Sequence, residues 1–270
     1  MRREDHGDIS GCRCCTPLTR LYLLLSETRS QTVAFMQQAL CALLASRDVD
    51  GVVLVRTPGY EEVGTIASCA RGVARGVLVA SHPLGILLME HCDTKDEDST
   101  RLEAIDTIVV EQGLLKCHLL YPRALASCIP RGYEALVAVR WRWQVKLLAA
   151  ALARAGYKRV HVTGKKVDTD VIGLSPVYGI DIDIVSLDTA RYYVGSVDVV
   201  IDAGVLGDAA PPEKTIHVGW DELTEETPCI LSEWFTTAIL LWENVFIERG
   251  EARAIISSLL HNRGQRRENQ

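Results

Sequence analysis

From Thr19 the chain reads "TRLYLLL", a short apolar run suited to a strand, after an irregular, polar stretch over residues 1–18. In Gln31–Ser46, Val33, Met36, Ala39 and Leu40 recur at helical spacing, although the length of the run also admits a strand followed by a turn. Both alternatives stay open at this point. "DGVVLVR" (Asp50–Arg56) and "RGVLVAS" (Arg75–Ser81) are β-branched runs bounded by Gly and Pro, which predicts strands. The polar stretch Glu90–Glu103 breaks the apolar rhythm and reads as a surface loop, and two more strands are predicted around Ile108 and Leu119. The first 130 or so residues therefore read as strand-rich.

From Gly132 the pattern changes. "ALVAV", "KRVHVTG", "DIDIVS", "VDVVIDAG" and "KTIHVG" alternate with longer helical segments, the signature of a parallel α/β unit. Leu231–Arg249 places Trp234, Ala238, Leu241, Trp242 and Val245 on one face, so a helix is expected there, with Ser232 or Glu233 near its cap. A second helix over Glu251–His261 ends before Gly264 with arginines in its last turns. These patterns divide the chain into an irregular segment (1–18), a strand-rich unit (19–131) and a Rossmann-like unit with C-terminal helices (132–270).

Composition changes the picture in a few respects. A 270-residue chain that is 48% apolar and 24% charged holds one large core or two modest ones. The net charge of −6 argues against general nucleic-acid binding, which requires a basic surplus. No apolar run approaches the ~20 residues of a membrane helix, and the N-terminus lacks a secretory apolar core. Nine cysteines, an odd number, read as mostly free thiols in a reduced, cytoplasmic setting.

The order of units resembles the medium-chain dehydrogenase/reductase family, the zinc alcohol and polyol dehydrogenases. "PGYEEVGTIASCARGVARGVLVA" (58–80) is similar to that family's Pro-Gly-His-Glu segment and the strand pair after it. "EQGLLKCHLLYPRALASCIPRG" (111–132) resembles the exit from its GroES-like domain, and "VDVVIDAG" and "KTIHVG" resemble later cofactor-domain strands. The resemblance implies a GroES-like N-terminal domain followed by a doubly wound parallel Rossmann sheet.

The chain departs from that family where the chemistry belongs. Tyr60 stands where the family has a zinc-binding histidine, with Glu61 retained, and a phenol of pKa ~10 is a poor zinc ligand. Cys41 lies near the place of the first zinc-binding cysteine without its usual surroundings, and Cys92 is alone where the structural-zinc loop needs four. The expectation is therefore no metal. In the phosphate loop, glycines allow a tight turn and close approach of the backbone to a diphosphate. Here the turn is Arg140-Trp141-Arg142-Trp143, so bulk is expected to fill it. After the next strand, Thr163-Gly164-Lys165-Lys166 replaces the acidic residue of NAD enzymes and would favour a 2′-phosphate.

Two classes of function follow. One is a silent dehydrogenase-like fold kept as a binding or assembly module, with no cofactor, a small anionic ligand or a protein partner, and homodimerisation as an open arrangement. The alternative is a zinc-independent, NADP-dependent oxidoreductase of small alcohols or carbonyls, with Tyr60 and Glu61 handling protons and Arg140, Arg142, Thr163, Lys165 and Lys166 holding the cofactor. A Rossmann-type methyltransferase is disfavoured by the same missing glycines. "CRCC" (12–15), the scattered histidines, and Asp198 and Asp202 are weaker candidates, the last two as strand-end groups on one face.

Overall fold

The computed structural model describes residues 19–165, 167, 169–209, 212–218 and 223–268. Two sheets, each faced by helices, share one continuous apolar cluster.

The first sheet is built from β1 (Arg20–Leu25), β2 (Gly51–Arg56), β3 (Ala74–Val79), β4 (Thr94–Lys95), β5 (Thr107–Glu111) and β6 (Leu114–His118) in the order β2-β1-β3-β5-β6-β4. Strands β1, β2 and β3 run parallel, whereas β5 is antiparallel to both β3 and β6. Alternation sends Tyr22 and Leu24 into the shared cluster and Leu23 and Leu25 to the opposite face. Helices α1 (Gln31–Ala45) and α5 (Tyr121–Cys128) contribute to the shared side, and α2 (Val63–Val73) and α3 (His82–Met89) cover the other. Helix α4 (Glu97–Leu102) is a short excursion beside β6.

Two local signals explain what the pattern alone left open or misread. Ser30 accepts the Val33 N–H at 3.2 Å, a cap that commits Gln31–Ala45 to one helix with Phe35, Ala39, Leu40 and Leu43 buried. Asp96 likewise caps α4 through the Ser99 N–H, so the polar stretch 90–103 holds a short strand and a helix.

The GroES-like expectation fails here. Residues 63–73, read as part of a strand pair, form α2, and this half is a helix-covered, mainly parallel α/β layer. Periodicity cannot separate a strand from a short helix whose small residues pack on a sheet, as Ala67 and Ala70 do.

The second sheet is parallel throughout, as the alternation predicts. It comprises β7 (Glu134–Ala138), β8 (Arg159–Thr163), β9 (Asp181–Ile184), β10 (Val199–Asp202) and β11 (Thr215–His217) in the order β11-β10-β7-β8-β9. Its strands β7 and β10 are near-continuous apolar runs because α6 (Arg142–Ala155) covers one face and α8 (Leu187–Tyr193) the other. A one-turn helix, α7 (Ser175–Tyr178), precedes β9.

The chain then returns to the first sheet, crossing the divide read at residue 131. Helix α9 (Thr227–Glu243) begins earlier than the sequence pattern implied, and α10 (Arg249–Glu268) follows the left-handed Asn244. Trp242 donates its indole N–H to the Ile108 carbonyl at 2.9 Å, and its ring lies on Gly76. Beside it the buried Glu243 accepts from the Tyr22 hydroxyl at 2.5 Å and pairs with Arg20 and Arg75. No helix among the described residues is long and apolar enough to cross a membrane.

Four cysteines that the composition suggested as free thiols are paired, Cys92 with Cys117 and Cys128 with Cys229. Cys41 and Cys69 are free, and Cys12, Cys14 and Cys15 lie outside the described residues.

A methyl group at Gly76 would run into Trp242 Cε2 and Nε1. Gly76→Ala is therefore expected to cost about 1–3 kcal/mol by overpacking. The check is a urea titration followed by tryptophan emission, in which the midpoint falls and the native spectrum of the docked indole changes.

Candidate functional site

In an open α/β sheet, ligands collect outside the carboxyl ends of the strands where the strand order reverses. Both sheets have such a point. In the second it lies between β7 and β10, since β8 and β9 extend to one side of β7 and β10 and β11 to the other. In the first it lies between β1 and β3, which flank the start of the chain's winding.

At the β7 end, Val139-Arg140-Trp141 leads directly into α6. The Gln144 carboxamide oxygen accepts the N–H groups of both Arg140 and Trp141 at 2.9 Å, which caps the helix from within its own first turn. The Arg140 guanidinium reaches across the switch point to the Gly204 carbonyl at 3.3 Å. Gly204 has φ +75°, and a Cβ there would meet that guanidinium, so the glycine leaves the space Arg140 fills. Gly164, just past β8, similarly lets its backbone approach the Val139 carbonyl.

The two indoles go elsewhere. Trp143 stacks on His82 with centroids 4.6 Å apart, and Trp141 and Trp143 line an open groove with Ile86, Arg142 and Lys146. The expectation that indole bulk fills the phosphate turn is therefore corrected, since the side chain crossing the turn is a cation. Arg142 pairs with Asp170 at 3.0 Å. Thr163 is a buried residue of β8, Lys165 is exposed beyond it, and Lys166 lies outside the described residues.

Between the two sheets is a cavity of 90 Å³. Its walls come from the end of β3 and the start of α3 (Val79 to His82), from α1 (Thr32, Met36), from Leu147 of α6, from Val218 after β11, and from Ile230, Leu231 and Trp234 of α9. Asp106 lies at its edge, immediately before β5. Its Oδ1 accepts the Leu120 N–H at 3.0 Å and the Thr107 hydroxyl at 2.8 Å, and its Oδ2 accepts the Tyr121 N–H at 2.7 Å. Trp234 donates to the same Thr107 hydroxyl at 3.0 Å, so α9, β5 and the carboxylate form one chain of hydrogen bonds.

Burial pushes the Asp106 carboxyl up to about 6, with its three donors opposing and Asp96 adding to the rise. Burial, helped by Lys146, pulls the His82 imidazole down to about 4. Asp96 shows the opposite balance: burial pushes it up, yet hydrogen bonds from His118 and Ser99 hold it at about 2.

The structure does not bring Tyr60 and Glu61 to this cavity. Tyr60 sits in a 3-10 turn, largely exposed, and donates to Glu27 at 2.5 Å, while Glu61 is exposed beside it. Asp198 and Asp202 are separated: Asp198 accepts the Tyr133 and Glu134 N–H groups at the start of β7, and Asp202 accepts those of Val205 and Leu206 after β10. His161 meets Glu134 at 2.8 Å on the neighbouring strand, a pairing that no local spacing reveals. Asp106, absent from the sequence-derived candidates, carried one signal in "EAIDTIVV": an acid among apolar residues at the mouth of a strand.

No family model and no curated protein matches this chain. Solved structures do. Shikimate 5-dehydrogenase from Thermus thermophilus, in complex with NADP(H) and shikimate, aligns at TM-score 0.71 and 17% identity over 89% of this chain and 99% of that one. Quinate dehydrogenase from Corynebacterium glutamicum, in complex with NAD, aligns at 0.73 and 15% over 89% and 99%. Shikimate 5-dehydrogenase from Listeria monocytogenes, in complex with shikimate and NAD, gives 0.72 and 14% over 89% and 97%. At these identities the likeness is one of fold. It replaces the medium-chain dehydrogenase/reductase resemblance, with its GroES-like domain, by a two-layered α/β architecture. The expectation of a cleft closed by its own indoles is corrected with it, because Trp141 and Trp143 leave the switch point.

The two shifted groups have opposite linkage. As pH falls from about 6.5 to 4, the unfolded chain protonates His82 before the native one does, and stability is lost; between about 6 and 4 the native chain protonates Asp106 first, and stability is gained. Asp106→Asn removes the gain. Relative to the unmodified protein, its stability should drop by about 2 kcal/mol between about pH 7 and pH 4, while His82→Gln moves the other way. Urea midpoints at both pH values test this, and parallel curves for Asp106→Asn would refute it.

Proposed function

We propose that the chain is an NAD(P)-dependent oxidoreductase acting on a small alcohol or carbonyl compound. The observation carrying this reading is the pairing of a cation-crossed Rossmann switch point with a cavity that holds a buried carboxyl group, Asp106, whose pKa burial pushes up to about 6. The dinucleotide complexes of the fold neighbours support it.

The residues fit the cofactor by charge and by backbone. Arg140 faces the place where a diphosphate lies in this fold class, and the space above Gly204 admits its guanidinium. The Arg140 and Trp141 N–H groups, now on Gln144, are donors that a phosphate oxygen can share or take over. Lys165 at the β8 end favours NADP, because the segment places a cation where a ribose 2′-phosphate is read.

When bound, the nicotinamide supplies a hydride acceptor or donor. The chain supplies the remainder. Asp106 takes the hydroxyl proton during oxidation of an alcohol and returns it during reduction of a carbonyl, a role suited to a carboxyl whose pKa lies close to neutrality. Trp234, Leu231 and Met36 keep water from the reacting centre.

Arg140→Ala should weaken NADP by about tenfold or more, the worth of one charge-assisted contact, without unfolding a chain in which that side chain is exposed. The measurement is dinucleotide titration by the emission of Trp141 and Trp143, with turnover of small secondary alcohols as the functional readout. Should neither NADP nor NAD bind at millimolar concentration, the oxidoreductase reading falls.

A further inference from the structure

The cavity between the sheets has a one-sided chemistry. Asp106 is 5% exposed, and its hydrogen bonds come from two backbone N–H groups and a hydroxyl, all uncharged. A carboxylate offers about four lone-pair directions. Two are used on Oδ1 and one on Oδ2, so Oδ2 retains an acceptor site next to the cavity.

The described lining contains no Lys or Arg, and its only other titratable groups are His82 and Tyr121. His82 is uncharged at neutral pH. Every other wall is apolar or a neutral hydroxyl: Met36, Val79, Ile105, Leu147, Leu231 and Trp234 set its character. A second anion placed here would meet the Asp106 charge in a poorly hydrated space whose described lining holds no cation, the Lys146 ammonium acting only from behind His82.

We propose that this cavity takes a small uncharged molecule whose hydroxyl or amide N–H donates to Asp106 Oδ2, and that it excludes carboxylates. The proposal narrows the substrate class of the oxidoreductase site and rests on that reading. Size sets a further bound. A cavity of 90 Å³ suits a compact branched alcohol or amide rather than a long polyol.

Isobutyramide and isobutyrate have nearly the same shape and differ in charge, and isobutanol adds the alcohol. Each is titrated against the full-length protein at neutral pH without dinucleotide, with Trp234 emission and melting temperature as readouts. Isobutyramide and isobutanol are expected to bind and to raise the melting temperature, with isobutyrate at least tenfold weaker. In Asp106→Asn the gap between amide and acid should close to less than about threefold, since the repelling charge has gone while the shape is kept.

The proposal is overturned if isobutyrate binds as well as isobutyramide, if none of the three binds, or if a folded Asp106→Asn variant keeps the full discrimination. Where that variant does not fold, the comparison of the acid with the amide in the unmodified protein decides alone. Because dinucleotide is absent, the two ideas fail separately. Selective amide binding without turnover would leave the cavity's specificity standing and remove the oxidoreductase reading.

Discussion

The docking of α9 on the first sheet is the contact on which the remaining geometry depends. It is held by a large ring over a residue with no side chain, Trp242 on Gly76, and by two indole N–H bonds, one to the Ile108 carbonyl and one to the Thr107 hydroxyl. These donors bond groups of β5 in the buried interior, so helix placement and polar satisfaction act together. Without α9 the cavity loses the wall formed by Ile230, Leu231 and Trp234, and Asp106 loses the hydroxyl orientation that Trp234 imposes on Thr107. A helix from the end of the chain thus completes a site whose acid comes from the middle.

A second buried charge ties the same region from the other side. Asp98 of α4, almost fully buried, pairs with Arg123 of α5 at 2.9 Å and with Arg154 of α6. The two arginines remain partly in water, so the desolvation cost falls mainly on the carboxylate, and two guanidinium partners offset it. The triad joins the short α4 to helices of both halves and fixes the approach of α6, whose N-terminal turn carries Arg140 just before it and whose Leu147 faces the cavity. One helix therefore sets the distance between the turn after β7 and the cavity.

The parts that sequence reading recovers are those with a single physical explanation. Strands β7 and β10 are buried on both faces and read as largely apolar runs, and the helical face of Trp234, Ala238 and Trp242 has no other reading. The first half misleads because α2 is an 11-residue helix rich in small residues that runs directly into β3, and its length and composition fit a strand pair equally well. Among candidate residues, Arg140 stood out in the sequence because charge in a glycine position is conspicuous, and the structure sets its guanidinium on the Gly204 carbonyl. Asp106 was not, because its importance comes from Leu120, Tyr121 and Trp234, which lie 14, 15 and further residues away and reach it only through the fold.

The turn after β7 then explains why glycine is dispensable in one respect and not in another. The usual glycines serve backbone approach and helix–strand packing. Here packing closeness is supplied by Gly164 and Gly204 on the neighbouring strand ends, each lying where a Cβ would strike the β7 turn or the Arg140 guanidinium. The small residues have moved from the turn itself to the strands on either side. The freed turn positions hold a guanidinium above the switch point and two indoles facing α3, while Gln144 satisfies the exposed N–H groups. An anion arriving here meets a full positive charge in place of bare backbone donors, and must compete with a neutral carboxamide for the N–H groups. A neutral carboxamide on these N–H groups satisfies the helix end without adding a negative charge beside the guanidinium, as a carboxylate at that position would.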